Sequence, residues 1–100
     1  MPQAMPTGWT LTDNALTRTI QRTDFVEALG LVLEIGKLAE AADHHPDIYI
    51  RYRTVFLSVT THSAGHKVTD KDFSLAQKIN GLNEDAVRLN TDELRRKMAI

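Results

Sequence analysis

Three histidines carry the chemistry that this sequence most readily supports. His44 and His45 stand side by side where a predicted helix ends, and His62 follows a predicted strand. An imidazole titrates near neutral pH, so one of these side chains can accept a proton while another donates one. Those two steps are the minimum that an elimination or a hydration requires. A fourth histidine, His66, stands in the loop after His62.

Carboxylates flank the histidines on both sides, at Glu40, Asp43, Asp47, Asp70 and Asp72. A carboxylate beside an imidazole can fix which ring nitrogen carries the proton. Plainer interpretations stay open at this point. A histidine pair before a proline is also typical of a polar helix end, and Asp72 also fits the first turn of a helix.

A metal site is the less favoured interpretation of the same histidines. Imidazole binds zinc, copper and nickel, but two adjacent histidines rarely converge on one ion. The sequence contains no cysteine, which excludes disulfides, thiolate nucleophiles and thiolate metal ligands. We therefore do not expect a metal at this site.

Composition narrows the classes of protein and of partner. The 100 residues and the 42% hydrophobic content suit one small globular domain with a limited core, which oligomerisation would enlarge. Twelve basic and thirteen acidic residues are interspersed, so no nucleic-acid or membrane partner is indicated. No apolar run approaches the roughly 20 residues that span a bilayer. The first residues contain no apolar segment typical of a secretory signal, so we expect a cytoplasmic protein.

Hydrophobic spacing predicts the elements that must position the histidines. Alternation predicts strands, and apolar residues three or four apart predict helices. The resulting order is strand, strand, helix, strand, strand, helix. This is an α+β fold with a four-stranded antiparallel sheet and helices packed on one face. The predicted strands cover residues 9–11, 15–21, 48–53 and 55–60, and the predicted helices cover 24–43 and 69–81.

Three segments complete the predicted organisation. Residues 1–7 are expected to form a flexible N-terminal arm, 8–82 a single domain, and 83–100 a helical extension that starts afresh at Thr91. Within the first long helix, Gly30 and Gly36 each cost about 1 kcal/mol relative to alanine. Either glycine could therefore mark a close approach of a neighbouring backbone.

One long pattern resembles a known family signature. The string Glu40-Ala-Ala-Asp-His44-His45-Pro46, followed by Tyr52, His62 and Asp72, resembles that of the pterin-4a-carbinolamine dehydratases. In this family an acidic residue stands four before a His-His-Pro, followed by an aromatic residue, a histidine and an aspartate. Here Tyr52 follows Pro46 after five residues, His62 follows after nine more, and Asp72 after a further nine. The resemblance extends over about residues 8–82.

The resemblance implies an activity and a set of partners. It implies dehydration of 4a-hydroxytetrahydrobiopterin, or a related pterin, to the quinonoid dihydropterin, which regenerates the cofactor of aromatic amino acid hydroxylases. It implies no metal or redox cofactor, and a homodimer formed through the sheets or a homotetramer. The alternatives are a protein that acts on another pterin and a non-catalytic dimerisation cofactor, since the family includes one that serves a homeodomain transcription factor.

The resemblance also implies a role for each matched residue. His44 and His62 correspond to the general acid and base, and His45 to a histidine that holds the substrate. Asp72 corresponds to an aspartate that orients a histidine. Glu40 and Asp43 are expected to contact the site residues rather than the substrate. The segments expected to surround the pterin contain Pro46, Thr61, Ser63 and Ala64.

The chain departs from the family pattern in three places. Ile48 replaces a large aromatic residue and could alter one wall of the pocket. The loop from Ser63 to Thr69 is one residue longer than usual and carries His66 and Lys67. The tail from residue 83 to 100 is longer than the family core requires. None of these departures removes a signature residue.

Overall fold

A computed structural model describes residues 4–99 and confirms the predicted α+β class. Helices α1 and α2 cover one face of the four-stranded antiparallel sheet, and helix α3 packs on α1. None of the helices in the described part of the chain is long and apolar enough to cross a membrane. The strands are β1 (Thr10–Thr12), β2 (Ala15–Gln21), β3 (Asp47–Arg51) and β4 (Thr54–Val59), and the helices are α1 (Phe25–Ala42), α2 (Asp70–Asn80) and α3 (Glu84–Met98).

Strand alternation places the core between the sheet and the helices. The strand order is β1-β2-β4-β3, and every pair is antiparallel. Val55, Leu57 and Val59 of β4 are buried towards the helices, as the alternating pattern predicts. On the opposite face Tyr49 and Phe56 are exposed and lie with their ring centroids 6.0 Å apart. The helix-covered face therefore contains the core, and the other face is open.

The turn between β3 and β4 comes earlier than predicted. The predicted strand runs to Arg53, whereas β3 ends at Arg51, which pairs with Thr54 across a two-residue connection. Tyr52 leaves the strand conformation because its φ is 57°. The turn at Asp13 and Asn14 is as predicted, since both have positive φ, which suits a tight hairpin.

The N-terminal segment has defined contacts where it is described. Residues 1–3 of the predicted flexible arm lie outside the described residues. Pro6 is buried, and the carbonyl of Thr7 accepts a hydrogen bond from Asn80 at 3.0 Å. The indole of Trp9 donates to the same Asn80 at 2.9 Å. The end of this segment therefore packs beside α2.

Helix α3 lies within the predicted helical extension of residues 83–100, but it begins seven residues before Thr91. Its start is Glu84, and the side chain of Asn83 caps it by accepting from the backbone N–H of Asp85 at 2.8 Å. Thr91, the predicted start, lies inside the helix, where its hydroxyl donates to the carbonyl of Val87 at 2.9 Å. A threonine can satisfy its hydroxyl in this way without ending a helix. The pattern that resembled a cap was therefore wrong as a boundary.

An ion pair joins α3 to the first turn of α1. The Arg95 guanidinium lies 2.6 Å from the Asp24 carboxylate, which caps α1 by accepting from the backbone N–H of Glu27. The cap hydrogen bond and then the guanidinium hold the pKa of Asp24 below its ordinary value. An exposed ion pair therefore links α3 to the N-terminal cap of α1.

Gly30 marks a close approach of α3 to α1, as one of the two glycine predictions anticipated. A Cβ atom there would collide with the hydroxyl of Thr91 and lie 3.1 Å from both the Thr91 nitrogen and the Val87 oxygen. At Gly36 the same atom would meet nothing within 4 Å. Of these two glycines in α1, only Gly30 is thus required by packing.

This contrast predicts opposite stability changes for two matched substitutions. We expect Gly30→Ala to lower the free energy of unfolding by about 1–3 kcal/mol, because backbone atoms of α3 must move. Gly36→Ala should raise it by about 0.5–1 kcal/mol, because alanine favours a helix without a clash. Urea denaturation of both variants measures these changes. Equal stabilisation by the two substitutions would show that α3 does not pack as described.

Candidate active site

The predicted histidines meet at one end of the sheet. The C-terminal end of α1, the end of β4 and the first turn of α2 border a cleft of about 250 Å³. These elements and the loops that flank them carry the predicted site residues. The lining residues are Asp43, His44, His45, Thr60, Thr61, His62, Ser63 and Lys71.

The end of α1 directs its histidines into this cleft. Asp43 adopts a left-handed conformation, with φ 49° and ψ 43°, directly after the helix. The backbone N–H of His44 then returns to the carbonyl of Ala39 at 3.1 Å. This closure ends the helix before His44, so that the His-His-Pro segment leaves it in a fixed direction.

His44 is paired with a buried carboxylate. Its Nε2 atom lies 2.6 Å from Oδ1 of Asp72, and the Asp72 side chain is fully buried. A carboxylate is an acceptor, so Nε2 of His44 carries the hydrogen. The pairing therefore fixes the tautomer of His44 and leaves its Nδ1 atom for another partner.

The same carboxylate is held by two further donors. Oδ2 of Asp72 accepts from the hydroxyl of Thr61 at 2.7 Å and from the backbone N–H of Thr69 at 2.8 Å. The second bond is half of the capping box that starts α2, with Thr69 as the cap and Asp72 at the third helical position. Asp72 thus serves the helix and the histidine together. Its hydrogen bond to Nε2 holds the His44 ring in one orientation.

His45 forms the second histidine–carboxylate pair, on the exposed side of the cleft. Its Nε2 atom is hydrogen-bonded to Oε2 of Glu40, one turn back along α1. Both side chains are more than half exposed, at 56% and 79%. Solvent screens a pair of this kind, so it contributes little to stability. Its consequence is the orientation of the His45 ring.

His62 lies in the loop that follows β4. The loop begins with one turn of 3-10 helix over His62–Ala64, and Gly65 and His66 then adopt positive φ. Nδ1 of His62 lies 3.0 Å from Nδ1 of His66. Both rings are exposed. His62 therefore also has one ring nitrogen engaged, by a partner that the signature does not contain.

Not every predicted site residue reaches the cleft. Pro46 and Ala64 do not line it, and Glu40 and Asp72 border it only through the histidines that they bind. Thr61 lines the cleft but directs its hydroxyl to Asp72. Conversely, Thr60 and Lys71 line the cleft and were not predicted. Lys71 adjoins Asp72 in the sequence, yet a single lysine among many has no pattern that would identify it.

The described residues contain no group of three or more metal-binding side chains that could hold an ion. The donors that do converge are imidazoles already bonded to a carboxylate or to each other. A ring nitrogen that is bonded in this way leaves the other nitrogen of the same imidazole to exchange a proton.

Two other cavities differ from this cleft in their chemistry. A cavity of about 310 Å³ shares His44 and Lys71 with the cleft and continues along α2 to Ser74 and Lys78. A second cavity of about 310 Å³ lies between α1 and α3 and contains no histidine. There the Arg22 guanidinium donates to Glu84 and Glu27, and its hydrogen bond to Glu84 is the leading interaction that raises the pKa of Arg22. That second cavity is thus bordered by ion pairs rather than by imidazoles.

Comparison with known proteins relates the chain to one family. The family described as pterin 4 alpha carbinolamine dehydratase matches residues 1–82. A protein of Roseiflexus sp. (strain RS-1), named "Putative pterin-4-alpha-carbinolamine dehydratase", is 51% identical over 74 residues, which are 74% of this chain and 78% of the relative. A protein of the same name from Sulfolobus acidocaldarius is 44% identical over 73 residues, which are 73% of this chain and 79% of the relative.

A solved structure shares the fold. The crystal structure of a transcriptional coactivator/pterin dehydratase from Brucella melitensis is 35% identical and superposes with a TM-score of 0.70. The similarity covers 75% of this chain and 81% of that one. The family match ends at residue 82, so helix α3 lies beyond it.

Proposed function

Because the chain belongs to the pterin-4a-carbinolamine dehydratase family, we propose that it removes water from a 4a-hydroxytetrahydropterin by histidine acid–base catalysis. The observation that carries the proposal is one cleft lined by His44, which is bonded to buried Asp72, and by His62. The product is the quinonoid dihydropterin. The reaction requires no metal or redox cofactor, because it moves protons and breaks one C–O bond.

The two protons follow separate routes. Nδ1 of His44 takes the proton from the nitrogen adjacent to the carbinol carbon, and its positive charge is stabilised by Asp72. The electron pair of that N–H bond forms the C=N double bond as the C–O bond breaks. Nε2 of His62, in its protonated form, gives a proton to the departing hydroxyl, which leaves as water. Proton exchange with solvent then restores both imidazoles.

The remaining site residues hold the pterin or the catalytic side chains. We assign His45, positioned by Glu40, to the substrate, together with Ser63 at the cleft wall. Thr61 acts through Asp72. Pro46 and Ala64 then contribute only to the backbone that frames the cleft, and Asp43 sets the direction of the histidine pair.

The biological setting that we propose is recycling of tetrahydrobiopterin in the cytoplasm by a homodimer or homotetramer. The exposed Tyr49–Phe56 pair on the open sheet face supports self-association, since aromatic side chains are enriched at protein interfaces. The Brucella protein is named a transcriptional coactivator as well as a pterin dehydratase. That double name favours, as the second candidate, a non-catalytic binding role at a surface other than the histidine cleft.

The proposal is tested by following the absorbance of enzymatically generated 4a-hydroxytetrahydropterin with and without the protein. We expect strong acceleration of its loss, with the same rate in the presence of a metal chelator. A folded protein that gives no acceleration would favour the binding role or a different pterin. Loss of activity with the chelator would contradict the cofactor-free mechanism.

A further inference from the structure

The loop after β4 brings a second imidazole against His62. Thr61 and Lys67 pair across the loop, with the Thr61 N–H donating to the Lys67 carbonyl at 3.0 Å. Between them the chain turns back through Gly65 and His66, which have φ values of 78° and 60°. His66 is therefore placed directly beside His62 in this loop.

The two rings are arranged for a hydrogen bond. Their Nδ1 atoms are 3.0 Å apart, the ring planes are inclined at 87°, and the centroids are 4.7 Å apart. One nitrogen must donate and the other accept, because two lone pairs or two N–H groups facing each other would repel. The bond therefore fixes the tautomers of both rings when it forms.

We propose that His66 is a positioning residue that holds the hydrogen of His62 on Nδ1, so that Nε2 is the atom that exchanges protons. This inference rests on the proposed function. In the donor arrangement His62 keeps its Nδ1–H bond to His66 whether Nε2 is protonated or not. The reverse arrangement fails when His62 becomes a cation, because its Nδ1 atom then carries a hydrogen and cannot accept.

With this assignment the two catalytic histidines have the same arrangement of hydrogen bonds around their rings. His44 gives Nε2–H to Asp72 and presents Nδ1, whereas His62 gives Nδ1–H to His66 and presents Nε2. Each ring thus has one nitrogen committed to a partner and one left for the substrate. Second partners of this kind determine the tautomer of a histidine and the direction of its ring. The positive φ of His66 is the conformational cost of this placement.

Two substitutions separate the hydrogen bond from the backbone conformation. His66→Gly removes the acceptor but accepts a φ of 60° without strain. His66→Asn keeps an acceptor oxygen near the position of Nδ1, and asparagine also tolerates this backbone region. We expect kcat to fall roughly three- to tenfold in the glycine variant, which is the effect of one net hydrogen bond. The asparagine variant should retain most of kcat, and KM should change little in either.

Nitrogen-15 NMR of the imidazole rings gives a readout that needs no turnover. When the His62 ring of the wild-type protein is neutral, its Nδ1 atom should carry the hydrogen. His66→Gly should convert the same ring to a mixture of tautomers. The asparagine variant should keep the wild-type tautomer. A hydrogen on Nε2 of wild-type His62, or a tautomer unaffected by His66→Gly, would overturn the inference. Absence of dehydratase activity in the wild type would instead reject the proposed function while this tautomer measurement still decides the pairing.

Discussion

His62→Ala is expected to lower the turnover of 4a-hydroxytetrahydropterin by about 10²- to 10⁴-fold, the usual contribution of one general acid or base. His44→Ala should cause a loss of the same order, because the proton that leaves the substrate nitrogen then has no acceptor. Absorbance of the substrate, followed under saturating conditions, gives kcat for each protein. Since His62 is exposed, its removal should leave the thermal midpoint nearly unchanged.

The double variant shows whether the histidines act together. If the two proton transfers belong to one concerted step, His44→Ala/His62→Ala should be little worse than the more damaging single variant. Independent contributions would multiply instead. Full activity in a folded double variant would contradict histidine catalysis altogether.

The sequence predicts the part of this site that depends on period and spacing. Strand alternation places Val55, Leu57 and Val59 towards the core. The pattern therefore predicts a strand that ends shortly before His62, as β4 does. The helical period of α1 likewise places His44 just beyond its last turn. Both predictions depend only on residues that are close in the sequence, and the strand and the helix in the structure agree with them almost to the residue.

Contacts between distant segments could not be predicted in this way. The hydrogen bond from Thr61 to Asp72 depends on how α2 docks against the end of β4, and the His62–His66 pair depends on two positive φ values in one loop. Thr91 shows the converse error, since a residue that caps helices also fits inside one when its hydroxyl bonds the preceding turn. The conformational preference of a single residue is therefore ambiguous wherever tertiary packing decides between two structures.

Asp72→Asn should be the most informative single change, because it alters the tautomer of His44 with almost no change in shape. The amide oxygen can still accept from Thr61 and Thr69, but its NH₂ group then faces Nε2 of His44. That nitrogen must become an acceptor, so the hydrogen moves to Nδ1, the atom assigned to take the substrate proton. We expect kcat to fall by about 10²- to 10⁴-fold, as for a general base held in the wrong tautomer.

Stability measurements separate this effect from damage to the fold. Asp72→Asn retains the cap of α2, so its thermal midpoint should stay close to that of the wild type, whereas Asp72→Ala leaves buried donors unpaired and should lower the free energy of unfolding by about 3–5 kcal/mol. Asp85→Asn is the matched control, because it removes the same charge from the first turn of α3, away from the cleft. A folded asparagine variant with wild-type kcat would show that Asp72 serves only the helix, and the proton acceptor would then have to be sought among the other imidazoles of the cleft.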